Sequence, residues 1–214
     1  MFCKALQPLL KDDQRYLSEL EEVQQGFANV IQTQLEKMWA AKLGLEDYNE
    51  ALFSELISLM TLTTVDYTIF FRELSALPDN IEPLKKSFYA ELNASEYGTK
   101  SSNSNTQDLE LHWSAWLDKW QTLVGINDKN PTRSREVISS QMKQVNPKYI
   151  LREWQLVAAY KQAAEGEYTL LRELQEVMTQ PYAEQSKDIE EKYYRLMPTE
   201  LSDIGGVSHY SCSS

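Results

Sequence analysis

Catalysis and metal binding need nucleophiles, bases or ligands at workable spacing, and this 214-residue sequence holds few of them. Its two histidines, His112 and His209, lie nearly a hundred residues apart, and neither has a cysteine close in sequence. Zinc and related metals are held by denser clusters, so no metal site is expected. The phosphate-cradling Gly-x-x-x-x-Gly-Lys-Ser/Thr and Gly-x-Gly-x-x-Gly loops are absent. So are His-Arg-Asp, Asp-Phe-Gly and Gly-x-Ser-x-Gly. Gly205-Gly206 has no strand–helix context. Carboxylate pairs such as Glu21-Glu22 and Glu190-Glu191 sit in polar helical segments, where surface charge is the simpler reading. No catalytic residue is assigned in this chain.

Four other features could carry chemistry. Cys212 stands two residues from the end of the sequence, in Ser-Cys-Ser-Ser. A thiol on a frayed tail is accessible for thiol–disulfide exchange, and it is equally a passive cysteine; both readings stay open. Arg72, in Asp-Tyr-Thr-Ile-Phe-Phe-Arg, and Arg152, in Tyr-Ile-Leu-Arg-Glu-Trp, project from apolar faces. Arginines so placed bridge to carboxylates or backbone carbonyls across an interface, and phosphate contact is the competing use. Trp113, Trp116 and Trp120 could stack on a ring or a partner helix, but their spacing fits a packed core stripe better. His112, beside that stripe, reads as an ordinary surface or boundary histidine.

The elements that must position these residues are helical. Only seven glycines and seven prolines interrupt a chain rich in Leu, Glu, Gln, Lys and Ala, which predicts an all-α fold. From Asp13 to Leu43, Tyr16, Leu20, Val23, Phe27, Val30 or Ile31, Leu35 and Met38 form a stripe at helical spacing, and Gly44 stands where a C-terminal cap belongs. A second helix opens at Asp47 with Leu52, Phe53, Leu56, Ile57 and Met60 as its buried face. Thr63, Thr64 and Asp66 offer N-cap chemistry to a third, through Tyr67, Phe70, Phe71 and Leu74, which Pro78 stops. Further helices are expected at Ile81–Leu92, from Leu109 through Val124, at Pro131–Gln144 and Pro147–Ala164 after two Asn-Pro pairs, at Tyr168–Thr179 and at Ala183–Leu196. No repeat period of solenoid type is present.

Residues 93–107 are polar and have almost nothing to bury, so they read as a flexible linker. The expected organisation is therefore 1–92 and 108–197 as two helical parts joined by 93–107, with 198–214 an irregular tail. Thirty-two acids against 21 bases give a formal charge of −11. Such a surface repels phosphate backbones and anionic lipid heads, so neither nucleic acid nor membrane is an expected partner. Cys3 and Cys212 cannot form a disulfide framework, and the first residues lack the apolar core and cleavage site of a signal peptide. A cytoplasmic location is expected.

From Met142 onward the motifs become specific. Met-Lys-Gln-Val-Asn-Pro-Lys-Tyr-Ile-Leu-Arg-Glu-Trp (142–154) resembles the Asn-Pro-x-Tyr-x-Leu-Arg signature of the selenoprotein O family. Ala164-Glu165-Gly166-Glu167-Tyr168 resembles that family's Ala-x-x-Gly-Asp turn, and Pro181-Tyr182 its Asn-Pro-Tyr/Phe segment. Ser211-Cys212-Ser213-Ser214 is similar to the family's ending, where some members carry selenocysteine. Upstream, Lys42–Leu45 and Asp66–Arg72 also fit. Glu153 and Glu167 depart mildly, standing where Asn and Asp are usual. The signature residues the resemblance singles out are Asn146, Pro147, Tyr149, Arg152, Gly166, Asp66 and Arg72.

The resemblance implies a protein adenylyltransferase on a kinase-like fold, moving AMP from ATP to Ser, Thr or Tyr hydroxyls of proteins with Mg2+ or Mn2+. It places Met1 about where the kinase-like core gives way to C-terminal helices. The chain then corresponds to an irregular multi-helix C-terminal region, without the kinase N-lobe or the nucleotide and metal site. The implied partner is the kinase-like core, on the same or a separate chain, and through it the protein substrates. The implied role of Cys212 is redox regulation by a disulfide to that core. Two alternatives come from other classes: a free-standing acidic helical interaction module, and a thiol oxidoreductase using Cys212, which lacks a Cys-x-x-Cys partner.

Overall fold

The computed structural model describes residues 2–10, 13–89, 103–128 and 131–198. Among them are nine α-helices: α1 (Phe2–Leu10), α2 (Gln14–Leu43), α3 (Glu50–Thr63), α4 (Tyr67–Leu74), α5 (Asn103–Val124), α6 (Arg135–Val145), α7 (Glu153–Ala164), α8 (Thr169–Thr179) and α9 (Lys187–Tyr193). A 3-10 turn at Pro83–Ser87 follows α4. The described residues contain no strand, only an isolated bridge between Val65 and Phe88. The fold is all-α.

Local chemistry sets the helix ends. Asp13 accepts from the Arg15 amide at 3.0 Å and starts α2. Gly44 ends it at φ 68°, and the Leu45 amide reaches back to the Ala40 carbonyl at 2.9 Å. Gly44 is also close to α6: a Cβ there would lie 2.7 Å from Met142 Sδ and 3.2 Å from Ile138 Cγ2. The position thus needs both a left-handed backbone and no side chain. Asp66 caps α4 through the Ile69 amide at 3.0 Å.

The larger core draws on residues from both sides of 93–107. Leu43, Leu56, Phe70, Leu74 and Leu84 pack with Trp113, Trp116, Trp120 and Met142. Each indole finds a partner there: Trp113 donates to Thr63 Oγ1 (2.8 Å), Trp116 to the Leu52 carbonyl (3.0 Å) and Trp120 to the Leu43 carbonyl (2.8 Å). The tryptophan stripe is therefore core, anchored at its polar edge to α3 and the end of α2. A smaller cluster joins Tyr149, Ala159, Leu174, Val177 and Tyr193.

Several element boundaries differ from the sequence expectations. The expected helix over Ile81–Leu92 is a 3-10 turn that gives way to extended backbone, because the Asp66 amide bonds the Ser87 carbonyl (2.7 Å) and the Tyr89 amide the Thr64 carbonyl (3.0 Å); Leu92 lies outside the described residues. The second helix starts after Asn49, whose side chain caps the Leu52 amide, rather than at Asp47. Ile57, expected in its buried face, is exposed. The helix expected from Pro131 begins at Arg135, capped by Ser134. The helix expected from Pro147 begins at Glu153, because the amides of Lys148 and Tyr149 both bond the Pro181 carbonyl and hold that stretch out of the helix. The last helix is shortened to Lys187–Tyr193, capped by Ser186. Residues 103–107, expected in the linker, belong to α5; 93–102 lie outside the described residues.

Candidate functional site

The signature residues converge on a polar seam between the two apolar clusters. Asn146, fully buried, is its centre. Its Oδ1 accepts from Lys42 Nζ at 3.0 Å, and its Nδ2 donates to the Lys42 carbonyl (2.9 Å) and to Ser75 Oγ (3.0 Å). Ser75 in turn donates to the Phe71 carbonyl at 2.7 Å. One asparagine side chain thus locks the end of α2 to the end of α4, while its own amide closes α6 on Met142. Asparagine suits this place because it alone among small side chains offers an acceptor and two donors together.

Arg72 lies beside it, buried at the end of α4. Its Nη1 donates to the Lys143 carbonyl (3.2 Å) and the Asn146 carbonyl (3.1 Å), two of the acceptors that α6 leaves unpaired at its C-terminus. Its Nη2 donates to Glu184 at 2.6 Å. The other oxygen of Glu184 accepts from Lys148, which also pairs with Glu190 at 3.0 Å. Arg152 donates both terminal nitrogens to Asp66, a fork-to-carboxylate geometry, with the Nη2–Oδ1 distance 3.0 Å. Asp66 therefore caps α4, receives Arg152 and accepts from Tyr89 Oη at 3.3 Å. Tyr194 Oη closes the seam on Glu73 at 3.1 Å.

The seam is electrostatically committed. Burial pushes the Glu184 carboxyl up, yet the hydrogen bonds and charges of Lys148 and Arg72 outweigh this and hold it below the usual glutamate value. Burial likewise works against the Lys148 charge, and Glu184 with Glu190 raises it above the usual lysine value. Burial lowers Lys42, whose ammonium meets the faces of Tyr67 and Phe71 at 5.3 and 5.1 Å from their centroids. Tyr194 is pushed well above the ordinary phenol range by burial and by Glu73.

Phosphate contact is not what the two arginines do here, since their guanidinium groups are engaged by carboxylates and carbonyls of the chain itself. Pro147 follows Asn146 at the seam, and Tyr149 is buried in the smaller cluster. Gly166 takes φ 86° in the exposed turn after α7, apart from the seam. His112 is exposed. Cys212, His209 and Gly205-Gly206 lie outside the described residues, as does the tail from 199. Lys42, Ser75, Lys148 and Glu184 are seam residues that the sequence reading did not single out as sites. Lys42 and Lys148 stand within quoted motifs, while Ser75 and Glu184 carry no local signal.

The implied divalent metal does not fit what is present. Among the described residues no three His, Cys, Asp or Glu side chains come together to hold an ion. The buried carboxylate of Asp66 and the exposed one of Glu184 already neutralise arginine and lysine. No helix among them is long and apolar enough to cross a membrane.

Among the described residues the assembly is all-helical, and its polar centre is an interlocking set of hydrogen bonds and ion pairs. The family follows from comparison: the model described as "Protein adenylyltransferase SelO" matches residues 1–179, and the chain belongs to that family. It is 33% identical over 194 residues to "Protein nucleotidyltransferase YdiU" of Aromatoleum aromaticum, covering 88% of this chain and 34% of that one. It is 29% identical to the protein of the same name from Rhodopirellula baltica, covering 98% of this chain and 39% of that one. The Vibrio cholerae protein of that name is 29% identical over 98% of this chain and 38% of its own. This chain thus spans little more than a third of the length of the curated relatives it matches.

Proposed function

We propose that this chain is the helical C-terminal part of a protein adenylyltransferase, bracing a kinase-like core that carries the nucleotide and metal site. The reaction of the whole assembly is transfer of AMP from ATP to a protein Ser, Thr or Tyr hydroxyl, with release of pyrophosphate. The observation that carries the reading is the joint one of family and site: a family match across residues 1–179, with a seam whose buried charges are all spent on holding helices together. Within that role the seam sets the angle between the α2–α6 assembly and the α7–α9 assembly, and so the shape offered to the core. Cys212 is assigned redox regulation, through a disulfide with a cysteine of the core.

The test is labelling with ATP carrying radioactive α-phosphate and magnesium. The chain alone is expected to transfer no AMP. Supplying the part of the Aromatoleum relative that this chain does not match is expected to restore transfer to a protein acceptor. Transfer by the chain alone would overturn the assignment of the nucleotide site elsewhere. A cooperatively melting chain that neither labels nor restores labelling would favour a free-standing interaction module.

A further inference from the structure

The apolar stripe of α2 is open. Val23 and Phe27 are each 63% exposed, Val30 58%, Tyr16 44%, and Ile31 and Leu35 43% each. Of this 30-residue helix only Ala40 and Leu43, at its last turns, are buried. Scattered exposed apolar side chains are ordinary, but a continuous row at helical spacing marks an interaction surface. At ~1.5 Å per residue, the row from Tyr16 to Met38 runs about 33 Å. A helix presenting such a row is stabilised by tertiary packing rather than by propensity.

We infer that this face is the docking surface for the polypeptide that makes up the rest of the relatives' length, engaged as a helix laid in an apolar groove. The inference rests on the reading under Proposed function and adds to it the surface used. Two observations select the occupant. The chain spans 34% and 39% of two curated relatives, so the larger part of their length has no counterpart in it. The charge around the row then describes that piece. From Arg15 to Met38 the helix carries Glu19, Glu21, Glu22 and Glu36 against Arg15, which lies over the Tyr16 ring, and Lys37. Glu19 pairs with Arg15 at 3.9 Å, which leaves Glu21, Glu22 and Glu36 as the excess acids. A complementary groove is apolar at its floor and basic at its rim. A second copy of this chain, with formal charge −11, meets the row with like charge and is the poorer occupant.

The experiment co-expresses the tagged chain with the Aromatoleum relative from which the matching segment has been deleted, and measures co-elution by size-exclusion chromatography. The wild-type chain is expected to co-elute. The pair Val23→Asp with Phe27→Asp is expected to reduce the co-eluting fraction at least tenfold, while its melting temperature alone stays within a few degrees of wild type. Leu62→Asp, at a residue 63% exposed on α3 rather than on α2, is expected to leave co-elution unchanged. Co-elution of the double variant at the wild-type level would overturn the face and leave the proposed function standing. No co-elution of the wild type would overturn both. Self-association of the wild-type chain, abolished by the double variant, would make a second copy the occupant and overturn the inference.

Discussion

Two helices carry apolar stripes of the same kind and meet opposite fates. On α5, Trp113, Trp116 and Trp120 recur at three- and four-residue spacing and are at most 1% exposed. On α2, Tyr16, Val23, Phe27, Val30 and Leu35 recur at similar spacing and are at least 43% exposed. What separates them is the supply of partners. The α5 stripe meets α3 and the aromatic ring cluster of Phe70 and Phe88, with Trp113 centroids 5.4 and 5.2 Å away. The α2 stripe has no comparable surface among the described residues until Trp39, which packs on Phe53 at 4.3 Å. Periodicity reports that a face is to be buried; it does not report which chain segment buries it.

Breaking the α5 side should give the largest effect. Trp116→Ala removes a fully buried ring together with its hydrogen bond to the Leu52 carbonyl, so a loss of about 3–5 kcal/mol is expected. Urea unfolding followed by circular dichroism measures it, and a loss under 1 kcal/mol would show that the core is not the source of stability. Arg152→Ala should follow, at about 3 kcal/mol, because it strands the buried Asp66 carboxylate. Adding Asp66→Asn should recover part of that loss, since the stranded charge is then gone although the cap is weakened. A double variant less stable by the full sum of the two single losses would show that the pair is not coupled.

The all-helical class, the α2 and α3 stripes, the Gly44 cap and the Asp66 cap were legible because each depends on residues within one or two turns. The seam was half legible. Arg72 and Arg152 stood out as cations on apolar faces, but Glu184 is 112 residues from Arg72 and Ser75 is 71 from Asn146. No local pattern encodes such pairs. Asn146-Pro147 misled as a helix start because the asparagine side chain is used across the seam, and the Pro181 carbonyl takes the next two amides. The Ile81–Leu92 segment misled for a similar reason: its pairing with residues 64–66 outweighs its helical spacing.

Between the two apolar clusters lies the seam, and pH tests it at smaller amplitude. Glu184 is held below its ordinary value of 4.5, so its ionised form favours the fold. That stabilisation is present above the unfolded value and is lost as pH falls through the folded one. Lys148 is raised above 10.5, so its contribution is full below that value and is lost as pH rises through the folded one. Urea midpoints taken from pH 6 down to pH 3 should fall, and Glu184→Gln should flatten part of that slope. An identical slope in the variant would show that Glu184 titrates alike in the folded and unfolded chains.

The smallest effect is expected where the sequence pattern alone would forecast one of the largest. Phe27→Ser deletes an aromatic ring from the middle of the longest apolar stripe, and were that ring packed, the loss would reach about 3–5 kcal/mol. With Phe27 63% exposed, the isolated chain has little packing there to lose, and a Cβ on Gly26 beside it would meet no other element of the fold within 4 Å. A change within about 0.5 kcal/mol in urea unfolding is therefore expected, set by helix propensity rather than burial. A loss above 2 kcal/mol would mean that α2 is already covered in the isolated chain. The contrast with α5 would then be one of degree, and the face could not be the one left for a partner.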